Sequence, residues 1–336
     1  MRMLKNIVLL ILGISLLLGA SVLFAQDQQA KIDELSKKLA GLNSQMESTS
    51  DLNTYNQLME EYNKVKMEID QLKAEMAAAG NQEAQVKQAI NTGNKYTRTG
   101  QYQNALEAYD KAIALDPNAD KAYFGKAIAL KKLKRYDESE AAYQKAIELD
   151  PGNSKAYTNL AILYRDLRKY EESISTYQLS LEQDPNQAKA YYGIGYVYNI
   201  LKNYKKAADA FQSAVEVDPE YDDAYVALGI ALIELYKYNE AIGALQKAVD
   251  LKPNNADAYY RMTVALNKLN RFNEAVQAAD KSIEYNPGLA AAHYEKGKAY
   301  EGLGDIPSAI ASYQQAAENG RWRNAANYEI ERLKKM

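Results

Sequence analysis

His293 is the residue best suited to acid–base catalysis, because it is the only histidine of a 336-residue chain that has no cysteine. It occupies a position that tyrosine fills elsewhere in the chain, and packing explains it better than catalysis, which needs a partner group. Gly193-Ile194-Gly195 lies inside a predicted helix with no strand before it, unlike a phosphate loop. Asp150-Pro151-Gly152-Asn153 lacks the ligand spacing of a calcium loop. The sequence therefore predicts no catalytic, cofactor or metal site, and a protein that is not an enzyme.

Charge and composition restrict the class of partner. Lys and Arg number 41 and Asp and Glu 44, which leaves a net charge of −3. Nucleic-acid binding relies on dense Lys and Arg that displace phosphate counterions, so we expect no nucleic-acid partner. The absence of cysteine excludes disulfides and zinc–thiolate sites. With 47% hydrophobic and 25% charged residues, the chain has the composition of a folded protein.

Residues 1–25 have the pattern of an export signal. Arg2 and Lys5 precede an uncharged, largely apolar stretch from Ile7 to Phe24, and the sequence turns polar directly after the small residue Ala25. We expect cleavage after Ala25 and a protein that is periplasmic or extracellular. The alternative is an uncleaved anchor in the cytoplasmic membrane, because the stretch approaches the roughly 18 to 20 apolar residues that span a bilayer.

Residues 26–80 carry two heptad-like apolar runs that predict a helical stalk. The first begins at Ile32 and ends at Met46, and the second runs from Leu58 to Met76 in a different phase. Ser48-Thr49-Ser50-Asp51 between them is typical of a helix end followed by a new N-cap. Two structures satisfy this pattern: a helical hairpin within one chain, or an intermolecular coiled coil that makes a homo-oligomer through residues 28–79. Ala77 to Asn81 marks the predicted end of the stalk.

A period of 34 residues organises the rest of the chain. Six of the seven prolines recur at this spacing, at Pro117, Pro151, Pro185, Pro219, Pro253 and Pro287. Proline ends helices, so a proline at fixed phase ends a helix at fixed phase. Counting each proline as position 32, seven repeats begin at Val86, Asp120, Ser154, Ala188, Asp222, Ala256 and Ala290. Position 8 is small in every repeat, position 20 is Ala or Ser, and positions 17 and 24 are mostly aromatic.

These columns resemble the tetratricopeptide repeat family over residues 86–320. The resemblance implies an all-α fold in which seven helical hairpins stack into a right-handed superhelical solenoid, with partners bound in a concave groove lined by the first helices. Each hairpin is too small to bury its apolar side alone, so neighbours must cover it. The apolar stripe of residues 321–336 predicts a C-terminal capping helix that closes the array.

In the family, positions 2, 5, 9, 12 and 13 face a bound peptide. Here positions 5 and 9 of repeats 4 to 6 and position 5 of repeat 7 are aromatic or aliphatic: Tyr192, Tyr196, Val226, Ile230, Tyr260, Val264 and Tyr294. We expect Tyr192, Tyr196 and Tyr260 to be exposed and Tyr191 to be buried. The alternative is that these residues only fill contacts between neighbouring first helices.

Position 2 holds lysine in the early repeats, at Lys87, Lys121, Lys155 and Lys189. It predicts a basic early groove, although a solvated surface without a partner has the same pattern. Some family members grip a C-terminal carboxylate with Lys and Asn at fixed positions, but Ile90 and Gly125 stand there in this chain.

The sequence thus predicts an exported scaffold that binds a protein or peptide segment in the groove, with no cofactor and with membrane contact only through an uncleaved signal. The alternative is a structural assembly factor of a cell-envelope complex that oligomerises through the stalk.

Overall fold

The computed structural model describes residues 2–335, and the side chains of residues 25–335. This part of the chain is entirely helical and contains no strand. Its helices are α1 Arg2–Ser48, α2 Leu52–Arg98, α3 Tyr102–Leu115, α4 Asp120–Lys132, α5 Tyr136–Leu149, α6 Ser154–Asp166, α7 Tyr170–Gln183, α8 Ala188–Ile200, α9 Tyr204–Val217, α10 Asp222–Glu234, α11 Tyr238–Leu251, α12 Ala256–Lys268, α13 Phe272–Tyr285, α14 Ala290–Gly302, α15 Ile306–Ala317 and α16 Arg323–Leu333. Contacts divide the chain into unit 1, residues 1–151, and unit 2, residues 152–336.

None of the helices, over the residues described, has an apolar stretch long enough to cross a membrane. The predicted signal segment, residues 1–25, lies outside the described side chains except for Ala25.

Each repeat is a pair of antiparallel helices joined by a tight left-handed turn. The turn residue has a positive φ of 57° to 62° in five repeats, at Lys134, Arg168, Lys202, Tyr236 and Asn270, and glycine takes the same place at Gly100 and Gly304. In repeat 2 the Arg135 amide donates to the Leu130 carbonyl at 2.9 Å, and the Lys134 amide donates to the Lys131 carbonyl at 3.0 Å. These two bonds satisfy the last carbonyls of the helix and reverse the chain.

A size match between positions 8 and 24 packs the two helices of a repeat together. The large residue at position 24 is fully buried in most repeats, as Tyr109, Tyr143, Tyr177, Phe211, Leu245 and Tyr313. Repeat 6 reverses the sizes, with Thr263 at position 8 and Ala279 at position 24, both fully buried. The helices approach closely because one partner is always small.

The stalk of unit 1 is a hairpin within the chain. Ile32 and Leu42 of α1 are buried against Val65, Ile69 and Leu72 of α2. Two salt bridges cross the seam, from Lys31 to Glu68 at 3.0 Å and from Lys38 to Glu61 at 2.7 Å. The Asp51 side chain accepts a hydrogen bond from the Thr54 amide and caps α2, as the Ser48–Asp51 pattern predicts.

Helix α2 does not end at the predicted stalk boundary. It runs through Gly80 to Arg98, and its last turns form the first helix of repeat 1. The predicted end of the stalk at Ala77 to Asn81 therefore lies within a continuous helix. A single interior glycine costs a helix only about 1 kcal/mol, and the three preceding alanines favour helix.

The C-terminal helix α16 packs on the last repeat. Ala326, Ile330 and Leu333 are buried against the α15 side of repeat 7. The Arg332 guanidinium bridges Glu301 at 2.6 Å and Glu329 at 2.7 Å, which ties α16 to α14. In unit 2, α16 covers apolar surface that a further repeat would otherwise bury.

Candidate functional site

The first helices of unit 2 are neighbours in space. Helix α8 packs beside α6 and α10, and α12 packs beside α10 and α14. Residues four apart on a helix lie on one side of it, so positions 5 and 9 of α8, α10 and α12 form one continuous row. We call this row, made of Tyr192, Tyr196, Val226, Ile230, Tyr260 and Val264, the first-helix surface.

Tyr196 is the most open aromatic ring of the first-helix surface. Its exposed fraction is 41%, and Ile200, one turn further along α8, is exposed to the same degree. Val226, Ile230 and Val264 are half-buried. Pattern analysis of positions 5 and 9 did not select Ile200, which occupies position 13 of its repeat and could have been found from the family's groove positions.

Tyr192 is held in an aromatic cluster rather than open to solvent. Its ring centroid lies 5.5 Å from Phe211, 5.1 Å from Tyr221 and 6.4 Å from Tyr196. Burial raises the pKa of the Tyr192 hydroxyl, and the nearby Asp223 carboxylate adds to the shift. The prediction that Tyr192 is exposed and Tyr191 is buried is wrong, because both side chains are half-buried. Tyr221, the last residue of the same repeat and the N-cap of α10, covers Tyr192.

A guanidinium covers the exposed tyrosine. Arg165 of α6 lies over the Tyr196 ring, 5.1 Å from its centroid, and also contacts the Asp166 carboxylate at 2.8 Å. Such a cation–π contact holds the ring in place while leaving its edge accessible. The stacking of Arg165 on Tyr196 could not be read from residue spacing.

Tyr260 has a similar neighbour on its own helix. The Arg261 guanidinium lies 4.9 Å from the Tyr260 ring centroid and 3.4 Å from the Asp257 carboxylate. Burial raises the pKa of the Tyr260 hydroxyl. Tyr260 is half-buried, so it is less open than the sequence leads us to expect.

Glu295 is a buried polar residue next to the first-helix surface that was not predicted from the sequence. Glu295 of α14 is only 8% exposed. The Asn267 side-chain amide donates to both the carbonyl and the carboxylate of Glu295, each at 2.9 Å, and Lys298 pairs with the carboxylate at 3.0 Å. A buried charge needs such partners. The one available signal was glutamate at position 6, where no other repeat has an acidic residue.

Tyr294 lies apart from the open part of the row. Its ring packs 5.1 Å from Tyr313 and 5.0 Å from Trp322, at the junction with the C-terminal segment. His293 beside it donates from Nε2 to the Pro287 carbonyl at 3.0 Å and so stabilises the inter-repeat loop.

The position-2 lysines are all exposed but belong to different units. Lys121 begins α4 in unit 1, whereas Lys155 and Lys189 begin α6 and α8 in unit 2. Among the residues described, no group of His, Asp and Glu is placed to hold a metal ion.

Stacked helical hairpins define the class of this molecule, which is a protein–protein interaction scaffold. Tetratricopeptide repeat models match residues 91–154, 142–175, 163–199, 188–221, 232–287 and 264–326. The chain belongs to the tetratricopeptide repeat family, whose members generally bind proteins or peptides and are generally not enzymes.

Three known proteins illustrate the likeness. An uncharacterized protein of Methanocaldococcus jannaschii is 43% identical over 53 residues, which are 16% of this chain and 57% of that protein. The chain thus spans little more than half the length of this relative. The C-terminal part of a TPR repeat-containing protein from Cytophaga hutchinsonii is 18% identical, with a TM-score of 0.59 over 70% of this chain and 98% of that one. YrrB, described as a TPR protein with an unusual peptide-binding site, is 31% identical, with a TM-score of 0.49 over 53% of this chain and 92% of its own.

Proposed function

We propose that the first-helix surface of unit 2 binds an apolar or aromatic segment of a partner protein, in extended or helical form. The observation that carries the proposal is the pair Tyr196 and Ile200, both 41% exposed, beside the half-buried Val226 and Ile230 of the next helix. Isolated exposed apolar residues are ordinary on soluble proteins, but a contiguous row is typical of an interaction surface.

The ring of Tyr196 is already partly immobilised. Arg165 stacks on one side of it and Tyr192 lies near another. A side chain that is fixed before binding loses little conformational entropy when the partner arrives. Aromatic anchors of this kind often contribute about 2 kcal/mol or more to an interface. Tyr196 is therefore the anchor we expect to matter most.

Site-specific photocrosslinking in the native host tests the proposal. A benzoylphenylalanine is placed at Tyr196, and a matched one at Leu251, which is equally exposed but lies on the second helix α11. We expect a discrete adduct from position 196 that weakens when Ile200 is changed to Ser, and no such adduct from position 251. Equal crosslinking from both positions would remove the support for this surface.

Export is the second part of the proposal, and it rests on the sequence of residues 1–25. We propose cleavage after Ala25, which places the repeats in the periplasm or outside the cell. The intact mass of the protein purified from its native host tests this. A mass that still includes residues 1–25 would support the membrane-anchored alternative.

An assembly role through the stalk is the second candidate function. The hairpin buries its own apolar seam, but Met67 and Leu52 of α2 remain 73% and 72% exposed. Self-association through these residues is compatible with the hairpin. Sedimentation of the wild type and of Met67→Glu distinguishes the cases: a dimer that dissociates on substitution supports assembly, and a monomer in both argues against it.

A further inference from the structure

A basic stripe runs along the last four turns of α2, in unit 1. Lys87, Asn91, Lys95 and Arg98 follow one another at steps of three or four residues, so they lie on one side of the helix. All four are exposed. The stretch from residue 84 to residue 98 contains no Asp or Glu. Glu83 lies one turn before Lys87 on the same side, and no acidic residue follows it before Arg98, so the stripe keeps a net positive charge.

Helix α4 packs beside α2 and extends the stripe. Lys121 and Lys132 are exposed at its two ends, and the half-buried Phe124 and Ile128 lie between them on the same side. The single acidic residue of α4 is Asp120, which is half-buried. The two helices thus present basic side chains around a small apolar strip.

Over the side chains that the structure describes, Lys87, Lys95, Arg98, Lys121 and Lys132 form no salt bridge. On other sides of unit 1, Lys126 pairs with Asp110 at 2.6 Å, Arg135 with Glu138 at 2.6 Å and Lys145 with Glu148 at 3.0 Å. Over the same side chains, Lys64, Lys66 and Lys111 of unit 1 also form no salt bridge, but the stripe gathers its unpaired charges on two adjacent helices.

A shallow depression of about 430 Å³ follows the stripe, lined by Ala84, Lys87, Gln88, Asn91, Thr92 and Lys95. Side-chain amides at Gln88 and Asn91 can donate to carbonyl and carboxylate oxygens, which the ammonium groups attract.

We propose that the basic stripe of α2 and α4 binds an acidic, Asp- or Glu-rich segment of the partner protein. The inference rests on the proposed scaffold function but uses residues of unit 1 rather than the first-helix surface of unit 2. Charge complementarity selects the occupant. A nucleic acid fits less well, because a chain of net charge −3 repels a polyanion at long range and the stripe includes only one arginine.

Fluorescence anisotropy with a labelled peptide of alternating Glu and Gly tests the proposal on the full chain. The stripe variant is Lys87→Gln/Lys95→Gln/Lys121→Gln. The control Lys64→Gln/Lys66→Gln/Lys111→Gln removes the same charge from exposed positions off the stripe. We expect the stripe variant to bind about tenfold more weakly and the control to bind nearly as the wild type, since exposed ion pairs act locally.

Equal weakening in both variants would show a general charge effect and overturn the proposal. Tighter binding of single-stranded DNA or of anionic lipid vesicles than of the acidic peptide would also overturn it. A thermal melt of each variant checks that it is folded. The crosslink at Tyr196 reports on unit 2. If that adduct is not found but the acidic peptide still binds, only the proposed function of the first-helix surface is contradicted. If the adduct forms but the acidic peptide does not bind, only the proposal for the basic stripe is contradicted.

Discussion

The Leu245 side chain fills the space in which a β-carbon on Gly229 would lie. Such a carbon would be 2.6 Å from Leu245 Cγ and 2.8 Å from Cδ2, closer than real contacts. The two residues are positions 8 and 24 of repeat 5, and they set how closely α10 approaches α11. Substitutions at the two positions should therefore be energetically coupled.

Gly229→Ala should destabilise repeat 5 by about 1–3 kcal/mol, because the new methyl group overpacks the helix contact. Adding Leu245→Ala should offset part of this loss, since repeat 6 folds with the sizes reversed at Thr263 and Ala279. Urea unfolding of the single and double variants measures the coupling. Strictly additive effects would contradict the size match.

Gly243→Ala is the matched control in the same repeat. A β-carbon there meets nothing within 4 Å, and the residue lies inside α11. Alanine is favoured over glycine in helix interiors by about 1 kcal/mol, so this variant should be more stable than the wild type. If Gly243→Ala destabilises the protein as well, the close contact at Gly229 does not explain the loss in Gly229→Ala.

Two buried tyrosines of unit 1 should respond in opposite ways to loss of the hydroxyl. The Tyr109 hydroxyl donates to Asn94 at 2.8 Å, whereas the Tyr143 hydroxyl is buried with no hydrogen-bond partner in the part of the chain that the structure describes. Tyr109→Phe should cost about 1 kcal/mol, and Tyr143→Phe should be neutral or stabilising, because an unsatisfied buried hydroxyl is itself unfavourable. Thermal melts compare them, and equal losses would argue against this difference.

The left-handed turn residues predict a stabilising substitution. Tyr236 has a φ of 62° and Asn270 a φ of 57°. A side chain with a β-carbon is strained there by roughly 1 kcal/mol, and asparagine tolerates the conformation better than tyrosine. Tyr236→Gly should therefore raise the free energy of unfolding by up to about 1 kcal/mol, and Asn270→Gly by less. A lower melting temperature for Tyr236→Gly would contradict the argument.

Tyr221 should contribute to alkaline unfolding. Burial, with the neighbouring Tyr192 and Asp223, raises the pKa of its hydroxyl to about 12. Between about pH 10 and pH 12 the unfolded state releases this proton and the folded state keeps it, so stability falls as the pH rises. Below about pH 10 the contribution is complete. Urea midpoints measured from about pH 9 upward should fall less steeply in Tyr221→Phe, and an unchanged slope would show that Tyr221 is not responsible.

The repeat pattern could be predicted from the sequence because its signals are local. Pro117 and its five counterparts end helices wherever they occur, and the small and large columns follow a helical period. The first helices of repeats 2 to 7 begin at Asp120 and at each 34th residue after it. The break at Ser48–Asp51 was visible for the same reason, since a cap is formed by adjacent residues.

Tertiary structure alone decided which of these residues remain available. Tyr192 and Tyr196 occupy equivalent places in the helical pattern, yet Tyr221 at the end of the same repeat covers one ring and Arg165 of the previous repeat stacks on the other. The stalk pattern allowed pairing within or between chains, and α1 and α2 bury their seams against each other. Helical periodicity specifies the side of a helix on which a residue lies. What packs against that side comes from residues distant in sequence, and their side-chain conformations leave no periodic signal.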